Sequence, residues 1–166
     1  MNHQQYNTWT ARLRGNERAV RDLVRANKVF TAIGYVAFPL LLALQLAFGQ
    51  WPAALRTVLV AGIAFVALSA FRYLVNAPRP YEVLDIDPFI KKDTRGKSFP
   101  SRHTFSMYMI AFCWMAWCVP VGVVLTVTGM EVAATRVLGG VHWPRDVVAA
   151  FVFAAAAALV GFVLVP

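Results

Sequence analysis

Residues 29–48 form a predominantly apolar run without a single charged side chain. As a helix, at ~1.5 Å per residue, such a run is about as long as the ~30 Å hydrocarbon core of a bilayer is thick. Four more apolar runs follow, at 53–75, 104–119, 121–138 and 147–165. A chain of 166 residues has too little interior to hide this much apolar surface from water. Hydrophobic residues make up 59% and charged residues only 14%, against roughly 25% charged in soluble domains. Disorder, a collagen-like fibre, a disulfide-stapled mini-protein and an ordinary soluble enzyme are excluded. The expected fold is all-α, a polytopic membrane helix bundle of about five transmembrane spans. The runs at 104–119 and 121–138 are short for spans, which implies tilt or local bilayer thinning.

The first apolar run begins only after a long polar stretch and has no small-residue cleavage site behind it, so it is expected to stay as a span. Residues 1–27 are read as a basic arm ahead of a membrane domain at 28–166. From Arg12 to Lys28, apolar residues alternate with Arg14, Arg18, Arg21 and Arg25 at helical spacing. That pattern predicts an amphipathic helix on an anionic lipid surface. Cys113 and Cys118 sit five residues apart in one apolar stretch, on different helix faces, and read as packing residues. Pro39 falls inside the first span and predicts a kink.

Costly residues gather at the ends of the runs. Arg72 and Arg79 close the second run; Pro100-Ser101-Arg102-His103 opens the third; Thr135, Arg136, His142 and Asp146 bracket the loop between the last two. Two helices of about 16 residues lead out and back between His103 and Arg136, so these clusters meet at one end of the bundle. Charges so near lipid are expensive and point to function. Arginine forks bind phosphate oxygens and stay charged at any working pH. The helix-opening turn at Ser101-Arg102-His103 offers backbone N–H groups to an anion. One histidine can attack phosphorus while another protonates the leaving oxygen. An aspartate four residues after His142 can hold its Nδ1–H. The chemistry this set suits is phosphoester hydrolysis through a phosphohistidine, with no metal and no cofactor.

The pattern resembles the membrane-bound type 2 phosphatidic acid phosphatases, relatives of the vanadium haloperoxidases. That family carries Lys-x6-Arg-Pro, then Pro-Ser-Gly-His, then Ser-Arg-x5-His-x3-Asp. The spacings recur in Arg72 to Arg79, Pro100 to His103, and Arg136 to His142 to Asp146, and the resemblance covers about residues 53–165. It implies His142 as nucleophile, Asp146 as its orienting partner and His103 as general acid. Arg79, Arg136 and the Ser101 turn would hold the phosphoryl oxygens, with Arg72 in place of the family's lysine. Arg102 stands where the family has glycine, and is read either as a further phosphate contact or as a headgroup-facing side chain. Thr135 replaces serine and keeps the hydroxyl. Glu131 lies about 7–8 Å deeper in the membrane than Arg136. An intramembrane carboxylate wants a partner: an arginine of the site, an interhelical bond or another protomer.

With five spans, the arm and both site loops share one face. That face holds 15 of the 16 Lys and Arg residues; only Arg56 is opposite. The positive-inside bias then places the site on the cytoplasmic face of a cell membrane. The functional expectation is a lipid phosphatase acting on phosphatidate, phosphatidylglycerol phosphate or a polyprenyl diphosphate. Its partners would be the lipid substrate and the bilayer, with no nucleic acid. The alternative is a non-catalytic membrane protein that binds anionic lipid through the same arginines. A basic scaffold is disfavoured because the arm offers no aromatic platform beyond Tyr6 and Trp9.

Overall fold

The computed structural model describes residues 1–84, 86–92 and 94–164. Asp85, in the acidic part of the long loop, and Val165, at the end of the last run, lie outside the described residues. Among the described residues every regular element is helical: α1 (His3–Trp9), α2 (Glu17–Ala47), α3 (Trp51–Val75), the single turn α4 (Pro80–Val83), α5 (Arg102–Trp117), α6 (Val119–Leu138) and α7 (Pro144–Leu159). A π-helical turn, Val160–Leu164, extends α7. The stretches Glu17–Ala47, Trp51–Val83, Val119–Leu138 and Pro144–Leu164 are long and apolar enough to cross a membrane. The chain is an all-α, multi-pass membrane bundle.

The 16-residue α5 is the central element and packs against α2, α3, α6 and α7. Its inward side chains Phe105, Tyr108, Met109, Ala111, Cys113 and Trp114 form half of the buried core. A helix wrapped by neighbours need not match the bilayer thickness by itself, which accounts for its shortness. Cys113 and Cys118 are both free, and Cys113 belongs to that core. Trp114 Nε1 donates to the Ala37 carbonyl at 2.9 Å and so ties α5 to α2. Apolar side chains such as Val36, Ile63, Leu74, Val124 and Val148 are exposed on the outside, as a lipid-facing surface requires.

The basic segment expected as a separate surface helix is the first part of α2, which runs unbroken from Glu17 through Pro39 to Ala47. Its apolar positions continue in phase with the span below, so nothing in the sequence stops the helix at Lys28. The break comes earlier, at Gly15, whose φ of +75° suits a residue without Cβ. At the other end of α2, Gly49 (φ +71°) reverses the chain into α3.

Candidate active site

Three chain segments meet at the end of the bundle formed by the C-termini of α3 and α6 and the N-termini of α5 and α7. The α6–α7 connection is built from the α6 C-terminus. Gly140, at φ +77°, turns the chain, and the Arg136 carbonyl accepts from the backbone N–H of both Val141 (3.2 Å) and His142 (3.3 Å). A left-handed glycine past a helix end is the usual way to satisfy terminal carbonyls. Here it also fixes His142 relative to Arg136, which explains why that six-residue spacing matters.

His142 is 1% exposed and Asp146 is fully buried. His142 Nδ1 lies 3.2 Å from Asp146 Oδ2. That bond assigns the proton to Nδ1 and leaves the Nε2 lone pair toward the cavity and Arg79 Nη1, 3.4 Å away. Asp146 Oδ2 also accepts from the Trp143 N–H at 3.0 Å and from Ser98 Oγ at 2.5 Å. Burial pushes the His142 imidazole down to about 4; the bond to Asp146 opposes this and Arg79 adds to it. The ring is therefore neutral near pH 7, the form that has a lone pair to donate.

The arginines divide their roles. Arg79 is 2% exposed. Its Nε donates to the Gly96 carbonyl at 3.1 Å and its Nη1 to the Val141 carbonyl at 3.0 Å. Arg72 Nη1 donates to the carbonyls of Ser98 (3.2 Å) and Pro100, and its Nη2 to that of Lys97. Much of Arg72's donor capacity thus holds the 97–100 turn in place. Arg136 is buried, and its Nε has no hydrogen-bond partner. A buried guanidinium with an idle donor is costly alone and fits an anion that is supplied from outside. Glu82 stitches the two arms of the long loop together, accepting from the Arg79 N–H at 2.8 Å and from the Gly96 N–H at 2.7 Å.

His103, in the first turn of α5, and Arg102 line the same cavity as His142, Arg72 and Arg79. This cavity encloses about 270 Å³. Among the described residues lining it, six carry a positive charge and none a negative. Ser101 is fully buried, its N–H bonded to the Asp146 carbonyl at 2.9 Å and its Oγ accepting from Thr104 Oγ1 at 3.0 Å. The expectation that the Ser101 amide is open to an anion is therefore corrected. The amides of Arg102 and His103 in the first helical turn have no intrahelical acceptor.

Glu131 and Thr135 both turn away from the site arginines. Glu131 is exposed, with no ion pair or hydrogen bond to it among the described residues. Five residues turn an α-helix by ~140°, so with Arg136 facing inward Glu131 must face outward. Thr135 is buried but turned toward α2: its Oγ1 donates to the Val132 carbonyl at 2.9 Å and reaches Asn27 Oδ1 at 3.5 Å.

Two residues join the site that sequence reasoning did not single out. Ser98 is fully buried, and its hydroxyl lies between Asp146 Oδ2 and His142 Nδ1, 3.4 Å from the latter. Lys92 lines the cavity half-buried. Burial, then Arg79, Arg136, Arg72 and Arg102, push its ammonium down to about 8. The basic 91–97 stretch signalled Lys92 only as one of several cations; nothing in the sequence marked Ser98.

Two further spaces adjoin the cavity along the bundle. Arg102 and His103 also line a neighbouring space of about 300 Å³ with Thr31, Gly34, Tyr35, Phe65 and Ser106. Gly34, Tyr35 and Phe65 are shared with a third, almost wholly apolar space of about 430 Å³ between α2 and α3. The charged cavity and the apolar groove thus lie on either side of this intermediate space, which shares Arg102 and His103 with the first and Gly34, Tyr35 and Phe65 with the second.

Comparison with known proteins agrees with this fold. The crystal structure of Aquifex aeolicus LpxE superposes with a TM-score of 0.73 at 21% identity, over 96% of this chain and 93% of that one. A PAP2-type phosphatidylglycerolphosphate phosphatase from Bacillus subtilis gives 0.63 at 20% identity, over 95% and 90%. No curated protein is matched by sequence. Residues 53–166 match the PAP2 superfamily, and they carry every motif residue gathered around His142. By fold, by motif and by the match over most of its length, this chain belongs to the PAP2 superfamily, the type 2 phosphatidic acid phosphatases.

Proposed function

We propose that the chain is an integral-membrane lipid phosphatase that cleaves a lipid phosphomonoester or diphosphate through a phosphohistidine on His142. The observation that carries this reading is a buried, neutral His142, Nδ1 on Asp146 and Nε2 facing a cation-lined cavity, with an apolar groove between α2 and α3 one space away that shares lining residues with the space beside the cavity. In the first step the Nε2 lone pair forms a bond to phosphorus, the P–O bond to the lipid breaks, and His103 gives its proton to the leaving oxygen. In the second, His103 takes a proton from water, whose oxygen attacks the phosphohistidine. Inorganic phosphate leaves and His142 is restored. The developing positive charge on the ring is supported by Asp146, and the phosphoryl oxygens by Arg79, Arg136 and the α5 N-terminus. Side chains and the backbone N–H groups of α5 supply every role.

Lys92 and Arg102 add positive charge beyond what one phosphoryl group engages, which favours a diphosphate or a similarly charged headgroup. The test is phosphate release by detergent-purified protein with EDTA present, from phosphatidate, phosphatidylglycerol phosphate and a polyprenyl diphosphate, with trapping of labelled phosphate on the protein. Release from a lipid together with a trapped phosphoenzyme supports the reading. Lipid binding with neither would leave the non-catalytic alternative.

The groove gives a separate check. Gly62 lines it, and a Cβ added there meets open space. Gly62→Phe therefore fills the groove without disturbing the fold. Displacing about two methylenes of lipid tail, at ~0.8 kcal/mol each, should lower kcat/KM on long-chain lipids roughly tenfold. A small soluble phosphate ester should be hydrolysed at the wild-type rate. Equal loss on both would sink the groove as the tail site.

The excess of Lys and Arg on the site face supports a cytoplasmic active site. Ser101 is too buried to report on this, but Thr94 is exposed on the long loop. In a Cys118→Ala background, Thr94→Cys should stay unlabelled by a membrane-impermeant thiol reagent in intact cells and react after permeabilisation. Ready labelling from outside would reverse the orientation.

A further inference from the structure

The N-terminal helix α1 is polar, seven residues long, and too short to be stable by itself. A side-chain box closes its start, with the Gln5 N–H on Asn2 Oδ1 at 2.8 Å and the Asn2 N–H on Gln5 Oε1 at 2.9 Å. Its one buried residue is Tyr6, 1% exposed. The Tyr6 hydroxyl donates to the Leu138 carbonyl at 3.1 Å, across 132 residues of sequence. Leu138 ends α6, and its carbonyl is among those a helix C-terminus leaves without an internal partner. A Cβ added to Gly140 would lie 2.7 Å from Tyr6 Oη and 3.3 Å from Pro88 Cβ, so tyrosine and proline both press on the glycine. The Ile90 N–H donates to the Gly139 carbonyl at 3.2 Å. On the far side of Tyr6, fully buried Thr10 closes α1 with its hydroxyl on the Tyr6 carbonyl at 2.7 Å.

We propose that Tyr6 is a positioning residue for His142: it clamps the Leu138–Gly140 corner two residues before the nucleophile, and makes α1 part of the catalytic apparatus. The corner needs such a clamp. Gly139 and Gly140 have no side chains of their own to pack, and glycine is the residue with the most freedom to lose. Burial pushes the Tyr6 phenol up to about 12, so it stays a neutral donor at working pH. Tyr6 lies outside the family-matched residues, so the clamp is contributed by a segment the match does not include.

The inference rests on His142 being the nucleophile, and its test has one readout that does not. In the full chain, Tyr6→Phe keeps the ring and removes the hydroxyl, while Tyr6→Ala removes both. Backbone hydrogen exchange at residues 139–143 should accelerate by roughly tenfold in Tyr6→Ala, about the weight of one net hydrogen bond with its packing, with α5 unchanged. kcat on the preferred lipid should fall by about tenfold in Tyr6→Ala and less in Tyr6→Phe, with KM within about twofold. Unaltered exchange at 139–143 would overturn the clamp, whatever the activity. Faster exchange with full kcat would overturn the positioning role. A wild-type protein inactive on every lipid would instead overturn the phosphatase reading, with exchange still deciding the clamp.

Discussion

His142→Ala is expected to lower kcat for lipid phosphate release by roughly 10⁵-fold, a loss of about 7 kcal/mol of transition-state stabilisation. The size follows from the proposed two-step route. Without Nε2 there is no covalent intermediate, and water must attack the phosphoester directly. The cation-lined cavity remains and keeps a residual rate above solution. The backbone should hold, because the N–H of residue 142 bonds the Arg136 carbonyl irrespective of side chain. His142→Asn fills more of the vacated space and should be equally inactive, separating lost chemistry from lost packing. The phosphoenzyme trapped in the wild type should be absent in both. A variant that still acquires label, or keeps a tenth of the activity, would refute His142 as the nucleophile.

Asp146→Asn is expected to cost about 10³–10⁴-fold in kcat with little change in KM. Asp146 Oδ2 accepts three hydrogen bonds, from His142, Ser98 and the Trp143 N–H. An amide in its place loses the charge that supports the ring once it carries the phosphoryl group. The pH dependence has a definite sign. In the proposed mechanism His142 attacks as the neutral ring, so kcat/KM should fall as pH drops through its pKa, which burial holds at about 4. In wild type the acid limb due to this histidine should thus lie well below the ordinary histidine range near 6.5. Removing Asp146 removes the groups that raise the value, so the limb should move lower still as the rate falls. A limb that moves up would contradict this arrangement.

The fold was legible because lipid leaves few choices: each apolar run became a helix, and the costly residues marked where runs end. The motif spacing was legible because it is set by helix ends, as with Arg136 and His142. What stayed hidden depends on rotation and on distant contacts. Glu131 was readable in principle, since its angular separation from Arg136 follows from helix geometry alone. Ser98 was not, because its value arises only where the 97–100 turn lies beside the start of α7. Tyr6 sat in a polar stretch with no periodicity to suggest burial, and its partner is far away in sequence.

The groove, unlike the reacting centre, draws on both sides of the boundary at residue 53. The family-matched portion begins at residue 53 and supplies the histidines, arginines and aspartate. One wall of the groove, with Gly34, Tyr35 and Phe38, comes from α2, upstream of that portion. If the groove holds the lipid tail, as proposed, changes on α2 would alter which tail fits while leaving the residues around His142 untouched. Chemistry and address would then be free to vary independently along one chain.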